Sequence, residues 1–196
     1  MKKLFALALF TTLLSCTESK EVETVTVKDK YTLQLPDYLT EAKDLHPDAS
    51  LQYQNALKEF YVVVIDEQKQ GFYDAASLTD YMADFTGYHD ILKDGMEEEI
   101  GNVKITPTKD TQVNGLKAKT FSLTGDIEGI PVYYEIGYLE GKDRFYQVVT
   151  WTLESSKEKY KEPMQKIISS FKEIGSDRSS GKGKYVWIQG RHASVH

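Results

Sequence analysis

The chain has 196 residues, 40% hydrophobic and 28% charged, with 24 lysines and arginines against 30 aspartates and glutamates. That length and composition suit one compact domain, and a net charge of −6 argues against nucleic acid as the main partner. One cysteine excludes a disulfide framework and any multi-cysteine zinc site.

Residues 1–15 have the order of a lipoprotein signal peptide. Lys2 and Lys3 precede an apolar run from Leu4 to Leu14, broken only by Thr11 and Thr12, and a small residue follows. A run of about eleven residues makes roughly 16 Å of helix, too short for a bilayer core of about 30 Å. The sole cysteine comes next, and Leu13-Leu14-Ser15-Cys16 resembles the bacterial lipobox. The resemblance implies cleavage before Cys16 and a diacylglycerol on its sulfur, which makes Cys16 a lipid attachment point and not a nucleophile. Two or three acyl chains make such an anchor effectively permanent. Loss of Lys2 and Lys3 takes the charge from −6 to −8, so the domain is expected to stand off anionic lipid. Residues 16–21 read as a polar tether. Thr17, where an aspartate would favour the inner membrane, points to the outer membrane facing the periplasm if there are two membranes. With one membrane, the outer face of the cell membrane is expected.

From residue 22 to 174 the pattern is that of one α+β domain. Thr24 to Val27 is β-branched, and Tyr31 to Leu35 alternates until Pro36. Pro36 to Leu51 is polar and reads as loop with a turn of strand. Glu59 to Asp66 (Glu-Phe-Tyr-Val-Val-Val-Ile-Asp) reads as a continuous apolar run, as a central strand covered on both faces would be. Ser77-Leu78-Thr79-Asp80 predicts a capped helix start, with Leu78, Tyr81, Met82, Phe85, Tyr88 and Leu92 as its apolar stripe and an end near Gly95.

Val103 to Val113 predicts a strand interrupted at Pro107, and Asn114-Gly115 a two-residue hairpin turn, because both residues tolerate positive φ. Leu116 to Leu123 returns. Ile130, Val132, Tyr134, Ile136 and Tyr138 then alternate, Gly141-Lys142-Asp143 turns, and Phe145, Val149, Trp151 and Leu153 line the next strand. Tyr160, Met164, Ile167, Ile168 and Phe171 make a closing helical stripe, which either kinks at Pro163 or begins near Glu162. The expected architecture is an antiparallel sheet of six to seven strands in β-β-α-β-β-β-β-α order, flanked by helices.

Several short motifs in that order carry a family resemblance: Tyr31-Thr32-Leu33-Gln34-Leu35-Pro36, Asn114-Gly115-Leu116-Lys117-Ala118, the Phe145 to Trp151 strand, and Ile167-Ile168-Ser169-Ser170-Phe171. The chain resembles the PsbP-like fold of photosystem oxygen-evolving accessory proteins, a nuclear-transport GTPase-binding protein and many bacterial lipoproteins. The resemblance implies α/β/α layers and accessory or scaffold roles, and it carries over no catalytic residue. Residues 175–196 differ in composition. Asp177 against Arg178, Lys182, Lys184 and Arg191 leaves them at +3, around an apolar Tyr185-Val186-Trp187-Ile188. They read as a disordered basic tail, with partner binding or self-association as the other reading.

No catalytic constellation is visible. Hydrolysis by a nucleophile needs Ser or Cys beside a proton-accepting His, and no Gly-x-Ser-x-Gly elbow occurs. His46 precedes Pro47 in an expected loop, and His192 and His196 lie in the tail, where their spacing of four lacks the glutamate of a zinc motif. His89, beside Asp90, reads as a partly exposed helical histidine. Glu97, Glu98 and Glu99 make a solvated acidic face or a docking patch. They lack the glycine turn and closing glutamate of a calcium loop. Neither a phosphate-cradling loop nor a dinucleotide fingerprint appears, so no cofactor and no metal are expected.

The aromatic load, 13 Tyr, 8 Phe and 2 Trp, offers one more candidate. Tyr133 and Tyr146 point away from the main core set, and as cross-strand neighbours they would form a binding platform unless a helix covers them. The expectation is thus a non-enzymatic lipoprotein of the envelope with a protein or glycan partner. The alternatives are an enzyme or small-ligand carrier using His89 and the acidic run, and a purely structural envelope component.

Overall fold

In a computed structural model of the chain the described residues are 21–174. The expected signal segment and lipobox with Cys16, most of the expected tether, and the basic tail with His192 and His196 lie outside them. The strands are β1 (Val22–Val27), β2 (Tyr31–Pro36), β3 (Thr40–Glu41), β4 (Ala49–Asn55), β5 (Phe60–Gln68), β6 (Gly101–Ile105), β7 (Lys109–Val113), β8 (Leu116–Ile127), β9 (Ile130–Glu140), β10 (Arg144–Leu153) and β11 (Lys172–Glu173). The helices are α1 (Lys69–Ala76), α2 (Phe85–Glu99) and α3 (Lys157–Ser170). An eight-stranded sheet runs β3-β4-β5-β10-β9-β8-β6, with β7 also on β8, and a three-stranded sheet runs β1-β2-β11.

The long apolar strands sit centrally because both faces of the large sheet are covered. Val62 and Val64 of β5 pack with Tyr160, Met164, Ile167 and Ile168 of α3 and with Tyr31, Leu33 and Leu35 of β2. Val63 and Ile65 pack on the other face with Phe72 of α1 and with Phe85 and Tyr88 of α2. The alternation along β5 therefore feeds two cores, which is why its sequence reads as unbroken apolar. Gly137 of β9 lets α3 lie close, since a Cβ there would come 2.5 Å from Ile168 Cγ2.

The Asn114-Gly115 turn forms as expected, with φ of 48° and 87°. Pro107 falls in the break between β6 and β7, both paired with β8. Two expectations need correction. Helix α2 is capped by Asp84 and not by Ser77, and starts at Phe85. Asp84 Oδ1 accepts from the amides of Thr86 at 2.8 Å and Gly87 at 2.9 Å, whereas Ser77 closes α1 and Leu78 and Met82 are exposed. The helix passes through Gly95 to Glu99. Of the two readings of the closing helix, a start near Glu162 does not hold, since α3 begins at Lys157 with Pro163 inside it.

Strand register gives the domain two poles. The entry pole carries Val22 paired with Pro36, Asn55 paired with Phe60, and Ile127 paired with Ile130. The far pole carries the turns at 114–115 and 141–143, the start of α1, and Ile174, whose amide donates to Lys30 O at 2.9 Å. Strand β9, eleven residues long, separates the poles by roughly 36 Å at about 3.3 Å per residue.

Candidate functional site

A groove of about 300 Å³ opens at the far pole. Helix α2 contributes its cap and first turn through Asp84, Phe85 and Thr86. Strand β7 contributes Asp110 and Thr111, β8 contributes Lys117, Ala118 and Lys119, and β9 ends there at Glu140. The alternation of β8 explains this lining, because Lys117 and Lys119 face the α2 side of the sheet, whereas the Ala118 side chain turns to the other side and packs in the core with Leu139 and the α3 residues.

The charges interlock. Lys119 Nζ lies 2.7 Å from Asp110 Oδ1, Lys117 Nζ 3.2 Å from Glu140 Oε2, and Lys69 Nζ 3.0 Å from Glu140 Oε1. The Lys69 ammonium also stands 5.2 Å from the centre of the Phe145 ring. Partial burial pushes the Glu140 carboxyl up, but hydrogen bonds and charge from Lys69 and Lys117 outweigh it and hold it below the usual glutamate value. The hydrogen bond from Lys119, then its charge, lowers Asp110. The groove thus alternates cations and anions at neutral pH, suited to recognising polar groups by charge and hydrogen bonding. Among the described residues no group of three or more His, Cys, Asp and Glu is placed to hold a metal ion.

His89 is buried, not partly exposed. Its Nδ1 lies 2.7 Å from Asp90 Oδ1 and its Nε2 2.9 Å from Thr108 Oγ1, with its ring edge-on to Phe121 and Tyr138. It sits in α2's inward face and does not line the groove. Glu97, Glu98 and Glu99 are exposed in the last turn of α2, with Glu97 paired to Lys93. The structure therefore does not gather His89 and the acidic run into one site.

Tyr133 and Tyr146 are buried, so neither offers an exposed platform. They are not cross-strand neighbours either, since Tyr133 lies opposite Thr152 and Tyr146 opposite Leu139. Helix α3 and the small sheet cover this face. Tyr133 donates to the buried Glu135, which also accepts from Gln165 Nε2 at 3.0 Å. The Tyr146 ring packs 4.8 Å from Phe171 and 5.7 Å from Tyr31, and its hydroxyl donates to Glu173 Oε1 at 2.9 Å. Burial, reinforced by these carboxylates, raises both phenols.

An aromatic row lies instead on the other face of the sheet. Tyr61, Trp151 and Tyr134 stack across β5, β10 and β9, with centroids 5.0 Å and 5.8 Å apart, and both tyrosines are half-buried. Alternation in β9 had already assigned Tyr134 to the face opposite Tyr133. The groove had no such signal, because Lys69, Asp110, Lys119 and Glu140 come from separate strands and a helix.

No family model matches the chain, and no curated protein matches it. Solved structures match in fold. Cyanobacterial PsbP (CyanoP) from Synechocystis sp. PCC 6803 aligns with a TM-score of 0.54 and 13% identity, over 83% of this chain and 99% of that one. LpqN, involved in cell envelope biogenesis of Mycobacterium tuberculosis, aligns at 0.52 and 9%, over 78% of this chain and 90% of that one. The likeness is one of fold, and the α+β arrangement of this chain is PsbP-like.

Proposed function

We propose that this chain is a non-enzymatic accessory protein of the cell envelope, held to a membrane by lipid on Cys16, that engages a protein or glycan partner at the far-pole groove. The lipobox pattern at Leu13 to Cys16 supports the tether. A fold shared with LpqN, a protein involved in cell envelope biogenesis, supports the setting. A binding role rather than catalysis fits the groove, where Asp110 and Glu140 are engaged by lysines, and His89, whose ring nitrogens are both engaged.

The observation that carries the reading is the polarity of the domain. Glu21 enters beside Pro36 and Asp37, and the groove opens at the opposite end of the strands. A tether at Glu21 leaves the groove facing away from its membrane. A photocrosslinking residue at Thr111, on the groove wall, is expected to give a defined adduct in intact cells. The same residue at Glu98 serves as the control. Equal adduct patterns from both positions, or none from Thr111, would refute the groove as the contact, and a Cys16→Ala chain remaining in washed membranes would refute the tether.

A further inference from the structure

We infer that the entry pole rests on the bilayer itself, with Leu57 inserted among the lipids. The inference rests on the tether reading and deepens it. Leu57 is 100% exposed in the 3₁₀ turn Ala56–Lys58 that joins β4 to β5. This turn is held, not loose. Asn55 Oδ1 accepts from the Lys58 amide at 3.0 Å, Asn55 Nδ2 donates to Tyr38 O at 2.8 Å, and Glu59 closes the turn in the left-handed region at φ 49°. A leucine fixed outward in this way has no apolar neighbour in its own domain to cover it.

Its surroundings suit a water–lipid boundary. Lys58 Nζ lies 5.0 Å from the centre of the half-buried Tyr38 ring, and Val22, 60% exposed, stands at the same pole through its pairing with Pro36. Apolar side chains flanked by a lysine and a tyrosine can bury their carbons while the polar ends stay hydrated.

The tether fixes the distance. The Asp37 amide donates to Glu21 O at 3.0 Å, so Glu21 belongs to this pole. Five residue steps from Cys16 to Glu21 reach at most about 17 Å. A domain so tied cannot move far from the lipid that holds it, and the turn bearing Leu57 is the apolar projection on that side. Glu21, Glu23 and Asp37 belong to this pole and Glu59 closes the turn beside Lys58, so zwitterionic lipid suits the contact better than anionic lipid.

The thiol count provides a direct test. Cys16 is the sole cysteine, so in the acylated full chain a Leu57→Cys variant has one free thiol for an environment-sensitive fluorophore. In vesicles of phosphatidylethanolamine and phosphatidylcholine, the label at 57 should emit at shorter wavelength and lose most of its emission to brominated acyl chains. A label in Met82→Cys, beside the first turn of α2 at the groove, should keep its water-like emission. If the protein mass carries acyl chains but the label at 57 stays water-like, or if both positions are quenched alike, the inference fails while the tether stands. If the mass carries no acyl chain and two thiols take the label, the tether reading fails and takes this inference with it.

Discussion

Replacing Tyr146 with alanine separates a structural ring from a binding ring. In the structure the ring fills the gap between Tyr31 and Phe171, 5.7 Å and 4.8 Å away, where β2, β10 and the end of α3 meet. Removing a buried aromatic ring costs about 3–5 kcal/mol, because surrounding groups close the cavity only partly. The lost hydroxyl bond to Glu173 adds to this, although Glu173 keeps the Lys142 amide at 3.2 Å from each carboxylate oxygen. Taking about 4 kcal/mol and about 2–4 °C per kcal/mol for a domain of this size, the melting temperature should fall by roughly 8–16 °C. Tyr146→Phe keeps the ring and should lose only about 1–2 kcal/mol. Thermal unfolding of Cys16→Ser protein followed by circular dichroism measures both. If Tyr146→Ala melts within a degree of the parent, the ring is not packed as described, and its burial beneath α3 and the small sheet is wrong.

Asp84→Ala removes the cap of α2 and should cost about 1 kcal/mol in urea unfolding, with Asp84→Ser recovering most of it. Gly141→Ala should destabilise by about 1–3 kcal/mol, since its Cβ would lie 2.6 Å from Tyr146 Cε2 and 3.1 Å from Arg144 O. Glu67 shapes the pH dependence. Burial raises its carboxyl above the ordinary 4.5, although hydrogen bonds from Tyr88 and Gln147 oppose the shift. A raised acid binds its proton more tightly in the folded state, so its contribution is full below pH 4.5 and falls as pH rises through the folded value. Glu67→Gln should remove that part of the fall in a urea series taken from pH 4 to pH 8. An unchanged slope would show that other groups set it.

What the sequence made legible was local. Asn114-Gly115 forms its turn because positive φ at both residues is a property of those residues alone. The apolar run of β5 identified a central strand because burial on two faces removes every polar position at once. Helix α2 was misplaced because Ser77 and Asp84 are both competent caps and Leu78 and Met82 sit at helical spacing from Phe85. The choice fell to tertiary packing. Phe85 stacks on Phe145 at 5.7 Å and Tyr88 on the same ring at 4.4 Å, whereas Leu78 finds no cover. Tyr133 and Tyr146 were assigned to the correct face, but α3 and the small sheet cover that face, and their docking is not written in the strand pattern. The groove was illegible for the same reason, since its ion pairs join residues brought together only when β7, β8 and β9 align.

Similar charges do different work in two places at the far pole. Asp66, its side chain 2% exposed, takes Lys30 at 3.1 Å and Arg144 at 2.5 Å. These bonds lock the β1–β2 turn to β5 and β10. Deleting both cations there would leave the buried Asp66 carboxylate unpaired away from water, at a cost of about 3–5 kcal/mol. At the groove, Asp110 is 80% exposed and its pair with Lys119 is solvated on one side. Such a pair adds little to folding and is weakened by salt. A partner offering its own carboxylate or ammonium can therefore exchange into the groove with little loss of fold stability, while the Asp66 cluster keeps the neighbouring turns in place. Polar recognition needs that combination of replaceable charges on a fixed frame.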